Sequence, residues 1–148
     1  MRFNRRHTMR SSRLMLLLIG LIFSSWVCAS ASNMALHTLA KQQGFFFFYS
    51  SDCPHCQRFA PTLKRVSQQY GFSVVAISVD GGALPSFPDA VMNDGQTNVF
   101  QVHVFPSLFL VNPKRHQATL VNEGNIDEVE LTNRLLKISQ SIPDKASL

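Results

Sequence analysis

Apolar positions along the chain switch between a solid run, a helical stripe and short blocks, and the switches fall at glycine, proline and asparagine. Phe45 to Tyr49 is an unbroken aromatic run of strand length, the pattern of a central strand covered on both faces. Left exposed, such a run would drive aggregation. Beyond it Phe59, Ala60, Leu63, Val66 and Tyr70 recur at helical spacing, while Arg58, Lys64, Arg65, Gln68 and Gln69 fill the opposite, solvated face. This predicts an amphipathic helix of about 17 residues, kinked at Pro61 and ended by Gly71. Phe72 to Val79 reads as a second strand, stopped by a turn at Asp80-Gly81-Gly82. Strand, helix and strand then form one βαβ unit with parallel strands.

The flanks extend this pattern. Asn33 to Gln43 carries Ala35, Leu36, Leu39 and Ala40 at helical spacing, with Gly44 as its stop. Between Ala83 and Val104 the signal is weakest: Pro85 and Pro88 predict an irregular opening, Asn93-Asp94-Gly95 a turn, and Gln96 to Val102 a short helix. Ser107 to Val111 and Gln117 to Val121 read as a hairpin turning at Asn112-Pro113. Asn125 and Glu128 predict a capping box for a last helix, Ile126 to Ser139, buried through Val129, Leu135, Leu136 and Ile138, with a frayed tail after Pro143. The sum is an α/β domain, a four-stranded mixed sheet flanked by helices, with no repeat and no linker.

The N-terminus changes how composition is read. Arg2, Arg5, Arg6, Arg10 and Arg13 precede an apolar stretch from Leu14 to Val27, and Ala29-Ser30-Ala31 has the small-x-small form of a cleavage site. Residues 1–31 are therefore expected to be a secretory signal peptide and residues 32–148 the exported, working domain. The apolar stretch, about 14 residues, is short of the roughly 17 to 20 that span a bilayer, so no stable membrane insertion is expected after cleavage. Ser25-Trp26-Val27 before Cys28 is a poor lipoprotein signal. Five of the 14 Lys and Arg leave with the signal, which balances the remainder against the nine acids. The basic charge of the full chain thus gives no reason to expect a nucleic-acid partner.

Cleavage also removes Cys28 and leaves one sulfur pair, Cys53-Pro54-His55-Cys56, between the aromatic strand and the amphipathic helix. A bridge across two residues closes almost no chain and adds little stability by loop closure, so the pair calls for a chemical role. Proline is favoured at the first helical position, which makes Cys53 the N-cap. Its sulfur then stands where a Ser or Asp oxygen accepts bonds from the first-turn amides of His55 and Cys56, and a lowered pKa is expected. The helix dipole alone supplies about 0.3–1 kcal/mol against about 1.36 kcal/mol per pKa unit, so a large shift needs the amides and His55 as well. Asp52 opposes it. Cys53 is the expected nucleophile and Cys56 the resolving thiol; one such site supports reduction, oxidation and isomerisation.

Zinc is the main structural rival for a CxxC. A closed site needs four ligands, and besides His55 the domain offers only His37, His103 and His116, in no ligand spacing. No metal and no cofactor are expected. His103 is expected to be half-buried and hydrogen-bonded, and Asp80 to be a turn residue.

Strand, CxxC helix, strand, X-Pro, hairpin and final helix resemble the thioredoxin fold. Phe105-Pro106 stands where that family has its cis-proline loop, and Pro61 where it has its helix kink. The resemblance implies that Pro106 is cis beside the sulfurs and that the backbone at Phe105 pairs with an extended substrate. More narrowly, the signal peptide, Cys-Pro-His-Cys, the segment from Ser78-Val79-Asp80-Gly81 to Asn93-Asp94-Gly95-Gln96, and Phe105 to Pro113 are similar to the TrbB isomerases and TraF relatives of F-type conjugative transfer systems. That implies a periplasmic thiol:disulfide isomerase, with disulfide-containing conjugative transfer proteins as substrates and a thiol:disulfide electron-transfer partner. The alternatives are a dithiol oxidase using the same site and a noncatalytic assembly factor. Two departures stand out: Phe47 replaces the buried acid six residues before the first cysteine, and Asp52 replaces the preceding aromatic.

Overall fold

The aromatic run divides its side chains between two cores. In the computed structural model, which describes residues 26–141 with side chains from residue 31, Phe45, Phe47 and Tyr49 enter a large core while Phe46 and Phe48 enter a smaller one on the other face. Phe45, Phe47, Phe48 and Tyr49 are wholly buried, each worth roughly 1.5–3 kcal/mol of transfer free energy. Successive residues of a strand point to opposite faces, so an all-apolar run is what a doubly covered strand needs.

The chain divides into two units, Met1–Met34 and Ala35–Leu148. Of the first, the described residues 26–34 are helical; the expected signal charges and most of the apolar stretch lie outside the described residues, as does the tail after Pro143. Among the described residues no helix is long and apolar enough to cross a membrane. The element order is α1 (Trp26–Ala40), β1 (Gly44–Tyr49), α2 (Pro54–Tyr70), β2 (Val74–Ser78), β3 (Val91–Met92), α3 (Gln96–Val99), β4 (Ser107–Asn112), β5 (Gln117–Glu123) and α4 (Glu128–Ser141). The sheet order is β3-β2-β1-β4-β5. β1 pairs in parallel with β2 and antiparallel with β4, β3 is parallel to β2, and β5 is antiparallel to β4.

The mixed sheet has a fifth strand beyond the four expected. β3 is two residues long, too short to show a period, and is fixed by pairing Val91 with Ile77 and Met92 with Ser78. α1 stops at Ala40, before the expected Gln43, and Gly44 opens β1 opposite Val111 rather than ending a helix; its bare backbone lies close against Ser73. α3 is shorter than expected because Phe100 turns into the smaller core and packs on Phe48 and Phe109. The cap of α4 is Asp127, whose Oδ1 accepts the Glu130 N–H at 2.8 Å, and not Asn125. With that start the helix buries Leu131 and Leu135, one turn apart, and turns Val129 outward at 69% exposure; Leu136 and Ile138 are half-buried against the core.

The large core joins Leu36 and Leu39 of α1, the inner face of α2, and Leu131 and Leu135 of α4 to one side of the sheet. Gly71 closes α2 in the left-handed region, φ 81°, with its N–H on the Ser67 carbonyl. The residues that follow β1 and β2 meet just before α2, where Asp80 bonds Ser50 and Ser51.

Candidate active site

Cys53 has an extended backbone (φ −78°, ψ 116°), Pro54 opens α2, and the Gln57 N–H bonds the Cys53 carbonyl at 3.1 Å. Cys53 is therefore the N-cap. Its sulfur does not make the side-chain cap bond expected of it; it is directed instead at the Phe105 carbonyl, 3.8 Å away. Sulfur is larger and a weaker acceptor than oxygen, and as a thiol it turns its hydrogen toward the available carbonyl. Pro54 and His55 are exposed, Cys53 is half-buried and Cys56 is wholly buried.

Burial opposes ionisation of Cys53, yet its pKa is lowered overall. The Cys56 thiol, the amides of Cys56 and His55, and the Arg58 charge together outweigh the loss of solvation. Cys56 moves the other way. Burial, then the hydrogen bond to Cys53, push it up to about 12 with the Cys53 charge adding to them, against the opposing backbone bonds of Ser50 and Cys56. Both cysteines are free thiols, and their ionisation is shifted in opposite directions.

Phe105-Pro106 is a cis peptide. Pro106 is buried and its carbonyl accepts the Gly124 N–H at 2.7 Å, while half-buried Phe105 borders both cores. Phe105, Cys53 and Cys56 are thus brought together. His55 Nδ1 lies 3.0 Å from Arg58 Nη2, and since a guanidinium only donates, Nδ1 accepts. The cation acting on Cys53 is Arg58 rather than His55. His103, expected to be half-buried, is exposed. Phe47 fills the position of the missing acid with a wholly buried ring stacked 5.2 Å from Tyr49.

Two residues of the site went unrecognised in the sequence. Arg58 sits one turn beyond His55, a spacing that puts both on one helix face. Asp80 lies just past the C-terminal end of a parallel strand, the edge where α/β sites assemble, and gathers five hydrogen bonds.

Residues 27–136 match the family of F plasmid transfer operon proteins, TraF. The chain belongs to this family. It is 32% identical over 108 residues to protein TraF of Escherichia coli strain K12, covering 73% of this chain and 44% of that protein. It is 35% identical over 97 residues to protein TrbB of the same organism, covering 63% of this chain and 54% of that protein. The chain therefore spans about half the length of the curated relatives it matches. Among solved structures, the exposed lipoprotein thioredoxin Etrx1 of Streptococcus pneumoniae superposes with a TM-score of 0.54 at 14% identity, covering 69% of this chain and 89% of that one. A putative thiol:disulfide interchange protein DsbE from Chlorobium tepidum gives 0.52 at 20% identity, covering 70% and 84%. The TraF-family chain thus has a thioredoxin-like fold.

Proposed function

We propose that this chain is an exported thiol:disulfide oxidoreductase acting chiefly as a disulfide isomerase on proteins of a conjugative transfer apparatus. The observation that carries the reading is the opposed ionisation of the two sulfurs. The Cys53 thiolate attacks one sulfur of a substrate disulfide, forms a mixed disulfide and expels the other substrate sulfur as a thiolate. Cys56, buried and pushed up to about 12, is slow to attack in turn. The mixed disulfide then lasts long enough for a substrate thiolate to displace Cys53, which leaves the substrate with a rearranged bond and no net transfer of electrons. When Cys56 does lose its proton to water and attacks Cys53, the Cys53–Cys56 bond forms. The substrate leaves as a thiolate, and two electrons have passed to it.

Phe105 and Pro106 form the wall along which an extended substrate lies, with Pro54 and His55 at the exposed lip. The conjugative context comes from the family, residues 1–31 act as a cleaved signal, and a separate thiol:disulfide partner resets the pair in the periplasm. A dithiol oxidase is the second reading, favoured by the lowered Cys53 pKa, since stabilising the thiolate makes the disulfide more oxidising.

Trapping the redox state of the pair in the periplasm separates them. A mainly reduced pair is expected; a mainly oxidised one overturns isomerase in favour of oxidase. Cys56→Ala should accumulate mixed disulfides with its substrates. If Cys53→Ala is silent in both disulfide exchange and plasmid transfer, a noncatalytic assembly role replaces the enzyme.

A further inference from the structure

The carboxylate of Asp80 divides its two oxygens between two tasks. Oδ1 serves its own loop, accepting the Ser78 hydroxyl at 2.9 Å and the Gly82 N–H at 3.1 Å. Oδ2 reaches across to the segment between β1 and α2. It accepts the Ser50 hydroxyl at 2.8 Å, the Ser51 N–H at 2.7 Å and the Ser51 hydroxyl at 2.9 Å. A turn residue needs only the first pair.

The two serines are also tied at their other ends. The Ser50 carbonyl accepts the Cys53 N–H at 3.3 Å, and the Ser51 carbonyl accepts the Gln57 side-chain amide at 2.8 Å. Ser50 and Ser51 therefore form a bracket with Asp80 on one side and the first turn of α2 on the other. Gly82 is part of the fit, because any side chain there would collide with Ser51. Its carbonyl also takes the hydroxyl of Tyr49 at 2.9 Å, which links the loop to the buried end of β1, and it lies 2.8 Å from the Ser78 hydroxyl, whose single hydrogen it shares with Asp80 Oδ1. Burial, the largest influence on the Asp80 carboxyl, would raise its pKa; the bonds from Ser50, Ser78, Gly82 and Ser51 together hold it well below the usual carboxylate range.

We propose that Asp80 is a positioning residue for the redox pair: through Ser50 and Ser51 it holds the N-cap carrying Cys53 at a fixed separation from Cys56 and from the Phe105 carbonyl. This rests on the pair being redox-active, as proposed above. The step it governs is ring closure. The Cys56 thiolate attacks the Cys53 sulfur of the mixed disulfide, the Cys53–Cys56 bond forms, the Cys53–substrate bond breaks, and the substrate sulfur departs with the electron pair. The ease of this step follows the effective concentration of one sulfur at the other. A loosened bracket lowers it.

The test is the glutathione redox equilibrium of the full chain in three variants. Asp80→Asn turns one of the two acceptor oxygens into an NH2 donor and removes the charge, the Ser50→Ala/Ser51→Ala double variant removes two donors while keeping the charge, and Leu131→Ala destabilises the core from α4. The first two should reduce the equilibrium constant for closing the disulfide about tenfold, a potential about 30 mV higher, with circular dichroism unchanged. Leu131→Ala should leave it as in the wild type. Wild-type equilibria in both bracket variants overturn the proposal. So does a shift in Asp80→Asn alone, which would assign the effect to charge, and so does an equal shift in Leu131→Ala, which would assign it to stability. A wild-type chain inert toward protein disulfides would instead sink the isomerase reading, since the glutathione equilibrium of the pair is measured without any protein substrate.

Discussion

Alkylation of the reduced protein should separate the two cysteines by ionisation alone. Cys56 is wholly buried and its thiol is pushed from 9.0 to about 12, so near pH 7 its thiolate fraction is lower than that of an ordinary thiol by about a thousandfold, at tenfold per pKa unit. Higher basicity returns part of this, because thiolate nucleophilicity rises with pKa at a Brønsted slope of about 0.4–0.5, which over three units recovers about 15- to 30-fold. The remaining deficit is about 30- to 60-fold before any steric protection. Iodoacetamide pulses across the pH range, read peptide by peptide by mass spectrometry, measure both sulfurs at once. Cys53 should label with a midpoint below 9 and Cys56 only near 12. In Cys53→Ala the midpoint of Cys56 should fall, because the Cys53 hydrogen bond and charge are gone, but stay above 9, because burial is the largest cause and remains. A wild-type Cys56 midpoint at or below 9, or one indifferent to Cys53→Ala, would refute the reasoning.

Arg58→Ala should raise the Cys53 midpoint and slow its labelling near pH 7 by up to about fivefold, the reach of an exposed charge; an effect undiminished in about 1 M salt would rule out the Coulombic account. The stability difference between reduced and oxidised protein, from urea titrations, should peak near pH 9. Below that, Cys53 has its lowered pKa and the folded state holds fewer protons than the unfolded, so stability rises with pH; from about 9 to 12 folded Cys56 keeps a proton the unfolded chain has lost, so stability falls, each at no more than about 1.4 kcal/mol per pH unit. A difference that does not change with pH would contradict both shifts. Leu131→Ala should cost about 2–5 kcal/mol and Val129→Ala less than about 0.5 kcal/mol by chemical denaturation; the reverse order would place the buried face of α4 wrongly.

Much of the domain was legible along the chain because its signals are local. The aromatic run, the stripe from Phe59 to Tyr70 and the left-handed stop at Gly71 follow from backbone geometry and side-chain periodicity, and they hold within a residue or two. Pro54 and the CxxC spacing were enough to make Cys53 the N-cap. The illegible parts depend on partners far away in sequence. β3 exists only because β2 is beside it, and the face of α4 turned on a start shifted by two residues, which placed Leu131 inside and Val129 outside.

The same division runs through the candidate site. By itself the sequence determined the kind of chemistry: two sulfurs one helical turn apart, the outer on a helix N-terminus, in a chain whose fold has an X-Pro loop. Tertiary structure decided how the two sulfurs differ, because the desolvation that pushes Cys56 up is a property of the packed core and not of the motif. It also decided that the Cys53 sulfur donates toward the Phe105 carbonyl, that Arg58 acts where His55 was expected to, and that Asp80 supports the cysteine loop from a strand end nearly thirty residues away. Spacing along a chain records neighbours within a turn; burial and hydrogen bonds across a sheet edge come into being only when the strands pair.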